Sequence, residues 1–214
     1  MLRKRAELER ALHGDIGEHQ RFILSVQLGR IKAAEADLAV LDERIDQKLA
    51  PYQQAVSQLL SIPGIERTTA ACVIAEIGID MSQFHGAAHL ASWAGLCPGS
   101  HESAGRKRAA KTRRGNVFLK AALVTAAVTT GRGRGTYYGD KYRRLCARRG
   151  KLRAAVAVGH KMLVAIYHML VDGTDYADPG AGYLDRLDKR RTSNRLVRRL
   201  NSMGFDVALT PKAA

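Results

Sequence analysis

The chemistry-bearing residue that stands out is Ser103, in the small-residue stretch Ser103-Ala104-Gly105. Cations follow it closely: Arg106, Lys107, Arg108, Lys111, Arg113 and Arg114, before Gly115-Asn116, and these cations with Asn116 are the expected nucleic-acid contacts. A serine hydroxyl can attack a phosphodiester once it loses its proton and the charge developing on the phosphate oxygens is neutralised. Arginine forks suit the second task because they match phosphate oxygens bidentately. His101 and Glu102 adjoin the serine, either orienting a proton transfer or standing as ordinary loop polars. Composition alone favours a plainer reading, a loop serine on a nucleic-acid-binding surface.

Other nucleophiles and metal ligands compete poorly. Tyr137 and Tyr138 adjoin Arg143 and Arg144, as a tyrosine-type recombinase would require, yet their place at a helix start favours aromatic packing or base stacking. His160 and His168 lie eight apart on one helix, too far for joint ligation from adjacent turns. Metal-assisted phosphoryl transfer needs several converging carboxylates. The basic segment offers only Asp140, and most of the other acids fall on the N-terminal helix or between Asp172 and Asp188. No metal site is expected in this chain, and no Gly-rich phosphate loop of the Walker type is present.

The charge distribution narrows the class of partner. The 214 residues carry a formal charge of +15. Sixteen of the 35 Lys and Arg residues, but one of the 20 Asp and Glu residues, lie between Arg106 and Arg153. The remainder is balanced, so one segment holds the whole surplus, the electrostatic footprint of a polyanion binder. An apolar share of 46% excludes wholesale disorder. Cys72, Cys97 and Cys146 show no CxxC spacing, which argues against a zinc module or a disulfide framework and suits a reducing cytosol. The apolar run from Ala154 to Val171 contains His160, Lys161 and His168, so no membrane span is expected, and the N-terminus has no apolar signal core.

The elements that must position these residues read as mainly α. From Leu2 to Ala50 there is no proline, and Leu24, Leu28, Ile31, Leu38, Leu41, Ile45 and Leu49 recur at steps that place most of them on one helical stripe. A helix over residues 24–49 spans about 39 Å and cannot bury that stripe alone. It predicts a coiled coil with a partner, or a helical hairpin broken at Gly14, Gly17 or Gly29. After Pro51 comes a helix-hairpin-helix-like pattern: an apolar helix, the turn Ile62-Pro63-Gly64-Ile65, and a second helix closed by Gly78. Such a turn offers backbone N–H groups at Gly64 and Ile65 to a phosphate, or is simply a packing hairpin. A short helix is expected over 84–96 with Trp93 in the core, then a loop or extended excursion through the serine. Helices over 117–129, 137–149, 152–171 and 183–203 follow, with a short strand over 204–209. The expected domains are 1–50 for assembly, 51–97 for the hairpin, and 98–214 as a basic helical domain.

These stretches resemble, in order, the C-terminal part of bridge-RNA-guided insertion-sequence transposases of the IS-one-ten type. The matching pieces are LRKRAELERALHGDIGEHQRFIL, LLSIPGIERTTAACVIAEIGIDMSQF, HLASWAGLCPGSHESAGRKRAAKTRRGN and AVAVGHKMLVAIYHML. The resemblance implies that Ser103 is a nucleophile joining covalently to DNA, with Ser100 as the fallback, and that the N-terminal helix serves subunit assembly as a dimer or tetramer. It implies DNA and a bridge RNA as partners, and a bacterial, cytoplasmic, nucleoid-associated setting. Family members begin with a nuclease-like domain whose acidic quartet binds Mg²⁺, and that pattern is not in this sequence. The expectation is therefore a fragment, a truncated product or one partner of a split protein. Its own role would be DNA binding and strand transfer, inactive without the acidic domain. The alternative is a non-catalytic nucleic-acid-binding or assembly module.

Overall fold

The computed structural model describes residues 7, 9, 16–99, 102, 103, 106, 107 and 112–210, with residues 102, 103, 106, 107 and 191 described by backbone alone. The chain divides into two compact units, Met1–Pro51 and Tyr52–Ala214. It is mainly α, as its periodicity requires.

Within the first unit, residues 7 and 9 are helical, and the long helix is α1 (Glu18–Leu49), 32 residues. It begins after Gly17, whose N–H donates to the Gln20 side chain at 2.6 Å, and Pro51 cannot continue it. The helix runs straight through Gly29, so no hairpin breaks there. Gly14 lies outside the described residues. Leu24, Leu28, Ile31, Leu38, Leu41 and Ile45 are all exposed, which leaves the apolar stripe uncovered within its own unit.

The second unit contains α2 (Gln53–Leu60), α3 (Arg67–Ile77), α4 (Ala87–Trp93), α5 (Val117–Arg132), α6 (Tyr137–Arg149), α7 (Lys151–Asp172), α8 (Tyr183–Leu187) and α9 (Lys189–Ser202). Helix α7 is central and packs against α2, α4, α5 and α6. Its buried side is built from Ala154, Ala155, Val158, Gly159, Met162, Leu163, Ile166 and Met169. Small residues let the neighbours come close: a Cβ on Gly159 would stand 3.3 Å from the Leu123 carbonyl oxygen of α5. Leu119 and Leu123 of α5, Val73 and Ile77 of α3, and Leu90 of α4 are almost fully buried. Each such side chain stabilises the fold by about 1.5–3 kcal/mol. Among the described residues α7 is the one helix long and apolar enough to cross a membrane, and it is this unit's core helix. Helices from residues 51–97 and 98–214 thus share one core.

Three expected elements differ. The last helix is broken at Asp188, which leaves helical backbone and accepts the Thr192 N–H at 3.0 Å. Aspartate favours helix starts over helix interiors. The expected strand over 204–209 is irregular; Gly204, at φ +89, ends α9 while the Phe205 N–H reaches back to the Leu200 carbonyl. Trp93 is not in the core. It is 41% exposed, because it is the last residue of the short α4 and its helical neighbours Leu90 and Ala91 take the buried side.

Candidate nucleic-acid interface

The serine segment is a hairpin. Pro98 and Thr112 form an isolated antiparallel bridge at its base. Farther out, β1 (Glu102–Ser103) pairs antiparallel with β2 (Arg106–Lys107), with Glu102 opposite Lys107 and Ser103 opposite Arg106. Opposed residues in such a ladder have Cα atoms about 4.5–5.5 Å apart. Ser103 is therefore the last paired residue before the turn, and a cationic residue is its cross-strand neighbour. Arg108, Lys111 and Ser100 lie outside the described residues.

The hairpin is rooted in a tight backbone crossing. Gly95 has φ +69, and a Cβ there would stand 2.9 Å from both the Arg113 carbonyl oxygen and the Gly115 nitrogen. A Cβ on Gly115 would overlap the Gly95 nitrogen. Only two glycines permit this approach. Next to it Asn116 caps α5: its side-chain oxygen accepts the Leu119 N–H at 2.8 Å, while Nδ2 donates to the Glu76 carboxylate of α3. The Asn116 N–H also donates to the Trp93 carbonyl at 3.4 Å. Lys120 Nζ donates to the Thr112 hydroxyl at 2.8 Å, tying the hairpin's returning strand to α5. Arg113 and Arg114, between bridge and cap, are exposed.

This geometry sorts the expected site residues. Arg113 and Arg114 stand where a phosphate could reach them. Ser103, Arg106 and Lys107 share the hairpin end in backbone register. Asn116 does not face outward; both ends of its amide are engaged within the fold. The Pro63-Gly64 turn is also turned inward. A Cβ on Gly64, at φ +91, would meet the Ala126 carbonyl oxygen of α5 at 2.7 Å. Ile65 is 5% exposed, and its N–H donates to the Ile62 carbonyl at 3.0 Å, so that donor is not free for a phosphate. The turn, as placed, is a packing joint between α2, α3 and α5.

The tyrosines and the lone acid are structural. Tyr138 is 2% exposed and stacks on Tyr176 at a centroid distance of 5.3 Å. Burial drives its phenol well above the ordinary tyrosine range, with Tyr176 adding to the shift, which holds it as a neutral packing group rather than a nucleophile. Tyr137 meets Tyr183 edge-on at 5.6 Å. Asp140 pairs with Arg144 Nε at 2.9 Å, and Asp185 grips the same guanidinium through both carboxylate oxygens. His160 is half-buried, and burial, aided by Lys161, lowers its pKa; His168 is exposed. Among the described residues no three His, Cys, Asp or Glu side chains converge as a metal site.

Two features escaped the sequence reading. One is the Glu76–Asn116 contact, spanning 40 residues; a single acid inside the apolar helix α3 was the available signal. The other is the aromatic group at the hairpin root, in which the exposed His85, His89 and Trp93 gather around the buried Phe84.

Comparison with known proteins falls on this region. Residues 56–143, which run from α2 through the hairpin into α6, match the model of the transposase IS116/IS110/IS902 family. The chain is 33% identical over 118 residues to the pilin gene-inverting proteins of Moraxella bovis and Moraxella lacunata. Each alignment covers 53% of this chain and 36% of the relative, so it spans about a third of those relatives' length.

Proposed function

We propose that the chain supplies the DNA-binding and strand-transfer part of an insertion-sequence transposase, with Ser103 as the nucleophile. The observation that carries this reading is the register of the hairpin, which sets Ser103 opposite Arg106 at the outer end of the cationic segment. In the step envisaged, Ser103 Oγ loses its proton to a base and attacks the scissile phosphorus. The bond from phosphorus to the leaving sugar oxygen breaks, and that oxygen takes up a proton. The products are a serine–DNA phosphodiester and a free sugar hydroxyl. Arg106, Lys107, Arg108 and Lys111 would neutralise the charge gathering on the phosphate oxygens, and Arg113 and Arg114 would hold neighbouring phosphates. A bridge RNA would select the site, since phosphate contacts carry no sequence information. Mg²⁺ would be held by an acidic nuclease-like domain rather than by residues of this chain. The exposed stripe of α1 would pair copies into a dimer or tetramer, in the cytoplasm at the bacterial nucleoid.

The test is a trapped protein–DNA adduct. The chain is mixed with its DNA, guide RNA, Mg²⁺ and the acidic domain, then denatured and resolved by mass. The expected result is an adduct that disappears in Ser103→Ala. An adduct that persists unchanged in that variant overturns the assignment.

The exposure of Arg113, Arg114 and the α1 stripe favours a second reading, a non-catalytic binding and assembly module. That reading expects binding without an adduct. In both readings log affinity falls linearly with log salt, and Arg113→Ala or Arg114→Ala each lowers the slope by about one with the melting temperature unchanged. Affinity indifferent to salt counts against both.

A further inference from the structure

We propose that Trp93 is a stacking platform for an unpaired nucleobase whose flanking phosphates are held by Arg113 and Arg114. The proposal rests on reading this face as a nucleic-acid interface, and adds the form of nucleic acid that it takes.

Trp93 is the only tryptophan of the chain, and it ends α4 with 41% of its surface exposed. The ring is not loose. It meets the buried Phe84 edge-on at a centroid distance of 5.7 Å, and Phe84 in turn meets His89 at 6.1 Å. Its backbone is fixed too, because its carbonyl accepts the Asn116 N–H and Gly95, two residues on, crosses Arg113 and Gly115. A braced, exposed indole thus leaves the same backbone crossing as two exposed arginines.

That pairing of chemistries selects the ligand. An aromatic face stacks on the π-face of any base, and adjacent cations track the phosphates on either side. A base inside a duplex is already stacked on both faces, so the platform has an occupant only where a base is unpaired. Such a base comes from single-stranded DNA or from single-stranded RNA. An apolar protein segment could cover the indole but would leave Arg113 and Arg114 without a counter-charge.

The indole reports its own occupancy. The full chain is titrated with oligothymidylate, oligouridylate, an abasic strand of the same length and a blunt DNA duplex, following tryptophan emission and affinity separately. We expect quenching by one or both base-bearing single strands and none by the abasic strand or the duplex, although these bind through phosphate. Quenching confined to oligothymidylate assigns DNA as the source, and quenching confined to oligouridylate assigns RNA. Trp93→Ala should weaken binding of the quenching strand about 5- to 150-fold and leave duplex affinity unchanged, while Trp93→Phe retains part of the loss. Binding without base-dependent quenching, or equal single-strand affinity in Trp93→Ala, overturns the stacking site and leaves the phosphate contacts standing. Binding of none of the four overturns the nucleic-acid interface itself.

Discussion

The Pro63-Gly64 turn and the hairpin between Pro98 and Thr112 carry the same local signals: small residues and glycine just ahead of a helix. Either could present backbone or side chains to a phosphate. In the fold they part. Gly64 is pressed against the α5 backbone at Ala126, and the Ile65 N–H is taken by Ile62. In the hairpin the glycines are at the root, Gly95 against Gly115, and the neighbouring Arg113 and Arg114 are exposed. Glycine marks a close approach in both places, but what approaches differs: in the first case a core helix, in the second the opposite side of the hairpin's own root. A glycine-rich turn before a helix is therefore no measure of ligand access until the neighbour of its Cα is known.

The largest expected effect tests the inward assignment. Gly64→Ala places a Cβ at φ +91, 2.7 Å from the Ala126 carbonyl oxygen and 2.9 Å from Thr130 Cβ. Left-handed backbone costs about 1–2 kcal/mol for a residue with Cβ, and overpacking adds about 1–3 kcal/mol. The melting temperature should fall by about 5–20 °C, followed by circular dichroism. Nucleic-acid affinity of the molecules that remain folded should not change. A variant that melts as the parent does but binds weakly would return the turn to the interface.

A middle-sized effect examines the hairpin's root. Asn116→Asp keeps the α5 cap, since a carboxylate also accepts the Leu119 N–H. It removes the donor to Glu76 and sets two carboxylates together. We expect a loss of about 1–3 kcal/mol, seen in denaturant melts. Adding Glu76→Gln reverses the polarity of the contact and should restore most of it. Additive losses in the double variant would show that the contact does not hold the root.

The helices of both regions were legible in the sequence because their signals are local. Apolar periodicity marked α1, the expected helices over 117–129, 137–149 and 152–171 match α5, α6 and α7, and Gly78 closed a helix where expected. What remained hidden depended on partners far along the chain. Trp93 reads as core because Leu90, Trp93 and Leu96 recur at helical spacing, yet α4 ends at Trp93 and only its leucine neighbours reach the interior. Asn116 reads as a phosphate ligand beside Arg114, and only the fold brings Glu76 to its amide. The same limit applied to Gly64, whose neighbour Thr130 is 66 positions later.

The contrast between inward and outward use also divides the cationic segment itself, and there the effect is smallest. Arg144 belongs to the same basic run as Arg113, but its guanidinium is held by Asp140 and Asp185. The hydrogen bond from Arg144, with a further one from Thr192, holds the Asp185 carboxyl below its usual range. A carboxyl so lowered stabilises the fold above the unfolded value near pH 3.9, and the contribution is lost as pH falls through the lower folded value. Asp185 is partly exposed, so the contribution belongs with exposed ion pairs, at about 0–1 kcal/mol. Asp185→Asn should thus be slightly less stable than the parent at pH 7, with the gap closing below about pH 4, measured by urea melts. A gap that widens in acid would contradict the pairing. Arg144→Ala should share that small stability loss and leave the salt slope of nucleic-acid binding where it was, whereas Arg113→Ala lowers the slope by about one. Equal slopes in the two variants would show that Arg144 leaves its carboxylates when a phosphate is offered.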